Sequence, residues 1–330
     1  MMFGIHRAAS VLVGLILAAT ICVNGFDQDP AKRDANYLKL ETTLVQVPVI
    51  TSDPGGRYII DLKKKDFTVF EDGIKQEIEF FGSVDEPFSV ALLLDSSGST
   101  ISQLEYIKAG AQAFIDQLRS NDRVMVFAFD DSVHLHCEMT NDRDHLRRAI
   151  AEIKPGEYTQ VYEAVYTAVW ERLRDIEGRK AVILFTDGID NASSEVSAED
   201  TLDAVVESED VIVYPIRYGT RADVEAKLEQ RLTADKLEES RRKLDREYRR
   251  ADEYLQELAD LSGGTVQRAD QLGDIKEAFS RVAQELRQQY LLGYYPSNAA
   301  KSDAERKIAV RVARNGVRVR TRPGYRTSQK

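Results

Sequence analysis

The sequence predicts an α/β protein in which a doubly wound, mostly parallel sheet is inserted into a small β-sandwich built from N- and C-terminal strands. Two observations predict this. Across 88–289, wholly apolar runs such as Val90–Leu94 and Ala181–Phe185 alternate with amphipathic stretches. That is the pattern of parallel strands covered on both faces and joined by right-handed helical crossovers. At 38–87 and again at 290–325, short strand-like runs are separated by Gly, Pro and Asp turns, as in part of a sandwich. Neither flank has enough strands for a sandwich alone, so the two are expected to join, with the α/β domain inserted between them.

Composition narrows the class. Of 330 residues, 43% are hydrophobic and 30% charged, which fits neither a disordered chain nor a bundle of membrane spans. A net charge of -10 argues against nucleic acid as a partner, because a phosphate backbone selects basic surfaces. An acidic surface favours cations and basic partners. Residues 1–25 stand apart: Arg7 precedes an uncharged, mostly apolar run, Ala8–Val23, with small residues near Gly25. The run is short against the roughly 20 residues of a bilayer-spanning helix, and the arrangement reads as a signal peptide. A secreted or periplasmic protein is therefore expected, or a membrane-anchored one if the segment is not cleaved. Cleavage leaves Cys137 as the remaining cysteine and hence no internal disulfide. No segment of the mature chain is expected to span a membrane.

The elements follow in order. Leu38, Leu40, Thr42 and Leu44 alternate with polar residues, and Val45, Val47 and Val49 continue one residue out of phase, so a bulge is expected near Leu44. Pro48 cannot donate to a ladder, which predicts an edge strand. Arg57–Leu62, Phe67–Phe70 and Ile74–Phe81 read as further strands. Past Val90–Leu94, Leu104, Ile107, Ala111, Phe114 and Leu118 fall at helical spacing. A strand over Val124–Phe129 follows, then helices over Leu146–Ile153 and Val161–Ile176. Ala181–Phe185 is the next strand, followed by a helix over Ala198–Val206 and a strand over Val211–Tyr218. The densely charged stretch 221–261, whose apolar positions are counted as Leu228, Leu232, Leu237, Leu244, Leu255 and Leu258, is expected to form a solvated helical hairpin standing off the domain rather than a partner-binding coiled coil. Thr265–Gln267 predicts an edge strand, and Leu272, Ile275, Phe279, Val282 and Leu286 a last amphipathic helix. Tyr290–Tyr294, Lys307–Val312 and Val317–Thr321 return to strands.

Chemistry concentrates after the strand ending at Leu94. Asp95-Ser96-Ser97-Gly98-Ser99 places a carboxylate and alternate hydroxyls around a glycine turn, at the strand end where open α/β sheets bind ligands. Hard cations such as Mg²⁺ take oxygen ligands of this kind. Asp187, after the strand ending at Phe185, and Thr159, before the helix beginning at Val161, supply further oxygens at element boundaries. The plain alternative is that the Asp-Ser turn caps the helix after it.

The order Asp95-x-Ser97-x-Ser99, Thr159, Asp187 resembles the metal-ion-dependent adhesion site of von Willebrand factor type A domains, and the resemblance extends over about 88–289. It implies that Ser97 and Ser99 bind a divalent metal directly, most often Mg²⁺ with Mn²⁺ or Ca²⁺ as alternatives. Thr159 would bind directly or through water, and Asp95 and Asp187 mostly through water. A carboxylate of a protein or surface partner would fill the last position. One departure is Glu157-Tyr158, where such sites carry small residues before the threonine. The flanks, Asp66–Gly73, Tyr290–Pro296 and Arg322-Pro323-Gly324-Tyr325, resemble a bacterial subgroup of these proteins known from acidobacteria.

Other candidates are weaker. His134 and His136 flank Leu135 on one strand and share a face, as a transition-metal pair would. With Val133, Leu135 and Cys137 turned inward, they are expected to be solvent-facing. Cys137 reads as a small buried hydrophobe. The function expected is metal-dependent binding or adhesion, not catalysis. The alternatives are an assembly role in an envelope complex, through 221–261 or the β-domain, and a metal-assisted hydrolase needing a base near the ion.

Overall fold

The computed structural model of the protein describes residues 44–208, 210–297 and 304–326. The expected signal peptide, 1–25, and the expected strand start at 38–43 lie outside them. The central sheet has six strands in the order β10-β9-β8-β5-β6-β7. These are β5 (Phe88–Asp95), β6 (Arg123–Phe129), β7 (Val133–Thr140), β8 (Arg179–Thr186), β9 (Val211–Tyr218) and β10 (Gln267–Ala269). All neighbours are parallel except β6 and β7. Every residue of β5 and of β8 is buried, which explains why their runs Val90–Leu94 and Ala181–Phe185 are apolar without alternation.

Helices cover both faces. On one side α1 (Leu104–Asp116), α2 (Arg143–Ala151) and α7 (Leu272–Leu286) pack through Ile107, Phe114, Ile150 and Phe279. On the other lie α3 (Val161–Tyr166, continued by a π-helical turn Thr167–Leu173), α4 (Ala198–Glu207) and α6 (Ala234–Ser262). Helix α5 (Arg221–Glu229) buries no residue. It touches the domain through Asp223, which accepts from Gln103 at 2.9 Å. From Leu244 onward α6 is part of the wall: Leu244, Tyr248, Ala251, Leu255, Leu258 and Ser262 are buried, at the alternating 3–4 spacing of an apolar stripe. Counting leucines alone missed it, because the stripe is completed by tyrosine and alanine.

The flanking strands build two antiparallel sheets. One has the order β13-β1-β11-β4 and the other β14-β12-β2-β3. Their strands are β1 (Val45–Ser52), β2 (Phe67–Glu71), β3 (Ile74–Gln76), β4 (Phe80–Gly82), β11 (Gln289–Tyr294), β12 (Glu305–Val312), β13 (Arg318–Thr321) and β14 (Gly324–Arg326). Between them Val47, Val69, Tyr290, Leu292, Tyr294 and Ile308 form a third apolar core. The buried Glu71 carboxylate accepts from Tyr294 (2.6 Å) and Tyr325 (2.9 Å), so burial of this charge is matched by donors from both sheets.

Several details correct the sequence expectations. β1 is an interior strand. Pro48 is tolerated because its ladder with β13 starts only at Val49, and the Pro48 carbonyl on that side accepts from the Thr321 hydroxyl at 2.8 Å; no main-chain donor is required there. Arg57–Leu62 makes only a bridge at Tyr58. Ile74–Phe81 divides into β3 and β4, which belong to different sheets. In β7 the register slips so that Leu135 faces Phe127 but Cys137 faces Val126. The extra residue, His136, rotates the strand: Cys137 enters the core of the α1 face, Val133 packs on the opposite face, and Leu135 is exposed.

Candidate metal centre

The crevice forms where the chain leaves adjacent parallel strands for opposite faces of the sheet, the geometry that opens ligand sites in such folds. β5 leads to α1 on one face, and β8 leads to α4 on the other. Leu94 lies level with Phe185, so Asp95 and Asp187 emerge from neighbouring strand ends. Both are fully buried, 0% and 1% exposed.

Asp95 is held at both oxygens. Its Oδ1 accepts from the Ser97 amide at 3.0 Å and its Oδ2 from the Thr186 hydroxyl at 2.7 Å. The Ser97 and Ser99 hydroxyls lie 3.1 Å apart. Asp187 Oδ1 accepts from the Ile189 amide (3.0 Å) and Oδ2 from the Thr220 hydroxyl (2.6 Å). The Thr159 segment is tied to both loops. The Gly98 amide donates to the Glu157 carbonyl at 3.2 Å, and the Gly156 amide to the Ser96 carbonyl at 2.8 Å. The Thr159 amide donates to Asn191 Oδ1 at 2.9 Å. Glycine is needed at 98 and 156 for close approach: a Cβ at Gly98 would meet the Glu157 carbonyl at 3.0 Å, and one at Gly156 would overlap the Asp130 side chain at 2.4 Å.

The electrostatics are costly for the protein alone. Burial, and then the charge of Asp187, push the Asp95 carboxyl well above the ordinary carboxylate range, against the hydrogen bonds from Ser97 and Thr186. Burial likewise raises Asp187, against Thr220, the Ile189 amide, Ser99 and the Arg217 charge. Among the described residues neither carboxylate is in an ion pair with a lysine or arginine. Two buried like charges of this kind favour binding of a cation or a proton. Among the described residues no three His, Cys, Asp or Glu side chains cluster as a metal site. The crevice presents the two carboxylates beside the hydroxyls of Ser97 and Ser99, an all-oxygen set. The oxygens present fit a hard divalent cation.

The structure brings Asp95, Ser97, Ser99 and Asp187 together and places Thr159, 3% exposed, in the loop bonded to their loops. Glu157 reaches the site through its carbonyl while its side chain is exposed, and Tyr158 is 55% exposed. Sequence reasoning did not single out Thr186, Asn191, Thr220 or Tyr248. Asp130, just after β6, also takes part: its Oδ2 accepts from the Ser96 hydroxyl at 3.2 Å. The ring centroids of His134 and His136 are 6.5 Å apart, and His134 contacts Asp130 at 3.2 Å.

A doubly wound sheet with paired acidic and hydroxyl loops at its central strand ends defines the class. Residues 90–189 match the family model of the von Willebrand factor type A domain, and the chain contains a domain of this family. An uncharacterized protein of Synechocystis sp. is 33% identical over 106 residues; the match covers 31% of this chain and about a quarter (25%) of that relative. Similar solved structures include a von Willebrand factor type A protein from Catenulispora acidiphila (11% identity, TM-score 0.48, 80% of this chain and 73% of that one). Another is proximal thread matrix protein 1 of the mussel byssus with a zinc-occupied MIDAS motif (16% identity, TM-score 0.48, 65% of this chain and 49% of that one). The family assignment rests on the sequence match rather than on these likenesses.

Proposed function

We propose that the protein is an exported binding module that captures a carboxylate of a protein or surface partner through one divalent cation. The observation that carries this reading is the Asp95–Asp187 pair: two buried acids, without a lysine or arginine ion-pair partner among the described residues, beside the hydroxyls of Ser97 and Ser99. Ser97 and Ser99 would hold the ion directly, Thr159 directly or through water, and Asp95 and Asp187 largely through water. When bound, the cation supplies a Lewis-acidic position that an acidic partner group completes. The chain's own contribution is orientation. The Ser97 amide and Thr186 fix Asp95, and the Glu157 carbonyl holds the Gly98 turn. Ile101 and Tyr158, 52% and 55% exposed beside these loops, offer apolar contact to residues flanking the partner carboxylate.

Export is supported by the uncharged run Ala8–Val23 behind Arg7. Among the described residues no helix is long and apolar enough to cross a membrane.

The reading is tested with the full chain immobilised and exposed to peptides bearing an exposed Asp or Glu, or their Asn and Gln counterparts, in Mg²⁺ and in EDTA. Retention of the acidic peptides in Mg²⁺, lost in EDTA and in Ser97→Ala, is the expected result. Retention that persists in EDTA contradicts it.

A further inference from the structure

Helix α6 lies outside the residues matched to the family, yet it reaches the candidate centre through a buried hydrogen-bond chain. The Thr220 hydroxyl donates to Asp187 Oδ2 at 2.6 Å, and the same hydroxyl is 2.6 Å from the Tyr248 phenol of α6. A threonine hydroxyl has one proton and can also accept. With that proton on Asp187, the phenol must be the donor, so the chain runs Tyr248 to Thr220 to Asp187. All three are buried, at 4%, 0% and 1% exposure, where such chains polarise and strengthen one another.

Two further contacts fix α6 beside the centre. Gly188 has a positive φ of 82°, and a Cβ there would lie 2.9 Å from Leu255 and 3.0 Å from Ala251, so its backbone rests directly on α6. Arg217, at the end of β9, pairs with Asp252 of α6 at 2.8 Å.

We infer that Thr220 and Tyr248 are positioning residues for the metal centre: they set the orientation of the Asp187 carboxylate and keep Oδ2 engaged, so that α6 is a structural part of the site. This rests on the proposed cation binding. Two of the roughly four lone-pair sites of the Asp187 carboxylate are taken by Thr220 and the Ile189 amide. The directions that remain are left for the ion or its water, and the Tyr248–Thr220 chain helps to set them. Groups one step behind a metal ligand commonly tune affinity in this way.

The test is titration of the EDTA-stripped full chain with Mn²⁺, following free Mn²⁺ by electron paramagnetic resonance, with melting temperatures measured with and without Mn²⁺. The parent should show one saturable site. Thr220→Val should weaken it by about 10- to 100-fold, and Tyr248→Phe by less, about threefold to tenfold. The double variant should be no weaker than Thr220→Val, because the two act through one chain. Thr220→Ser, which keeps the hydroxyl, should restore binding. If the variants bind Mn²⁺ like the parent and lose only metal-free stability, the two residues merely pack α6 and the inference is overturned, while the proposed function stands. If the parent itself shows no site, the proposed function fails and the inference with it.

Discussion

Replacing Asp187 with asparagine is expected to abolish metal binding and yet leave the metal-free protein at least as stable as the parent. The two effects have separate causes. Asparagine removes one of two buried charges that disfavour each other. The relief is on the order of 1 kcal/mol, since a tenfold change in proton affinity corresponds to about 1.36 kcal/mol. The hydrogen bonds survive the change. The asparagine carbonyl still accepts from the Ile189 amide. Thr220 reverses, accepting from the new side-chain N–H and donating to Tyr248, an arrangement the 2.6 Å contact between the two hydroxyls permits. The ion, in contrast, loses an anionic partner. In the parent, a metal at 100 times its Kd adds about 2.7 kcal/mol; in the variant that gain should vanish. Melting curves in EDTA and in excess Mg²⁺ check both halves. A variant much less stable than the parent in EDTA would show that the pair is not destabilising in the metal-free protein.

Arg179→Met is expected to have the opposite profile: a large loss of stability with the metal-dependent gain intact. Arg179 opens β8 and is 1% exposed. Its guanidinium donates to the Val84 (3.3 Å) and Glu86 (2.5 Å) carbonyls, in the link between β4 and β5, and to the Leu286 carbonyl at the end of α7. Burial pushes it down to about 10, so it stays charged at neutral pH and suits the negative end of the α7 dipole. One side chain thus ties the last helix of the α/β domain to the strand entering it. Methionine fills similar space but leaves these carbonyls without that donor. At about 1–3 kcal/mol for each buried unsatisfied group, the loss should be about 3 kcal/mol or more. Urea unfolding measures it, and a change below about 1 kcal/mol would mean that water or neighbouring donors replace the guanidinium.

The central sheet was legible because the middles of β5, β8 and β9 are buried on both faces and are apolar without alternation, a signal that needs no knowledge of the fold. The candidate centre was partly legible for a similar reason: Asp95, Ser97 and Ser99 are contiguous, and Thr159 and Asp187 sit at element boundaries. Partners made across the fold were not. Thr186 donates to Asp95 from 91 positions away, and Asn191 accepts from the Thr159 amide across 32, and no local pattern marks either. Tyr248 was hidden for a different reason. Its helix is densely charged on the exposed side, and its buried stripe uses tyrosine and alanine, which read as neutral when leucines alone are counted. The β7 bulge at His136 could not be read either, because a one-residue slip shows only in the pairing with β6.

On the proposed reading, the crevice between β5 and β8 binds one hard divalent cation. Calorimetric titration of the EDTA-stripped full chain with Mg²⁺ and with Mn²⁺ tests it most directly, with Ser97→Ala as the comparison. A single saturable site with both ions, lost or severely weakened in the variant, is the expected result. A folded parent that takes up neither ion, or a variant that binds as the parent does, would contradict it.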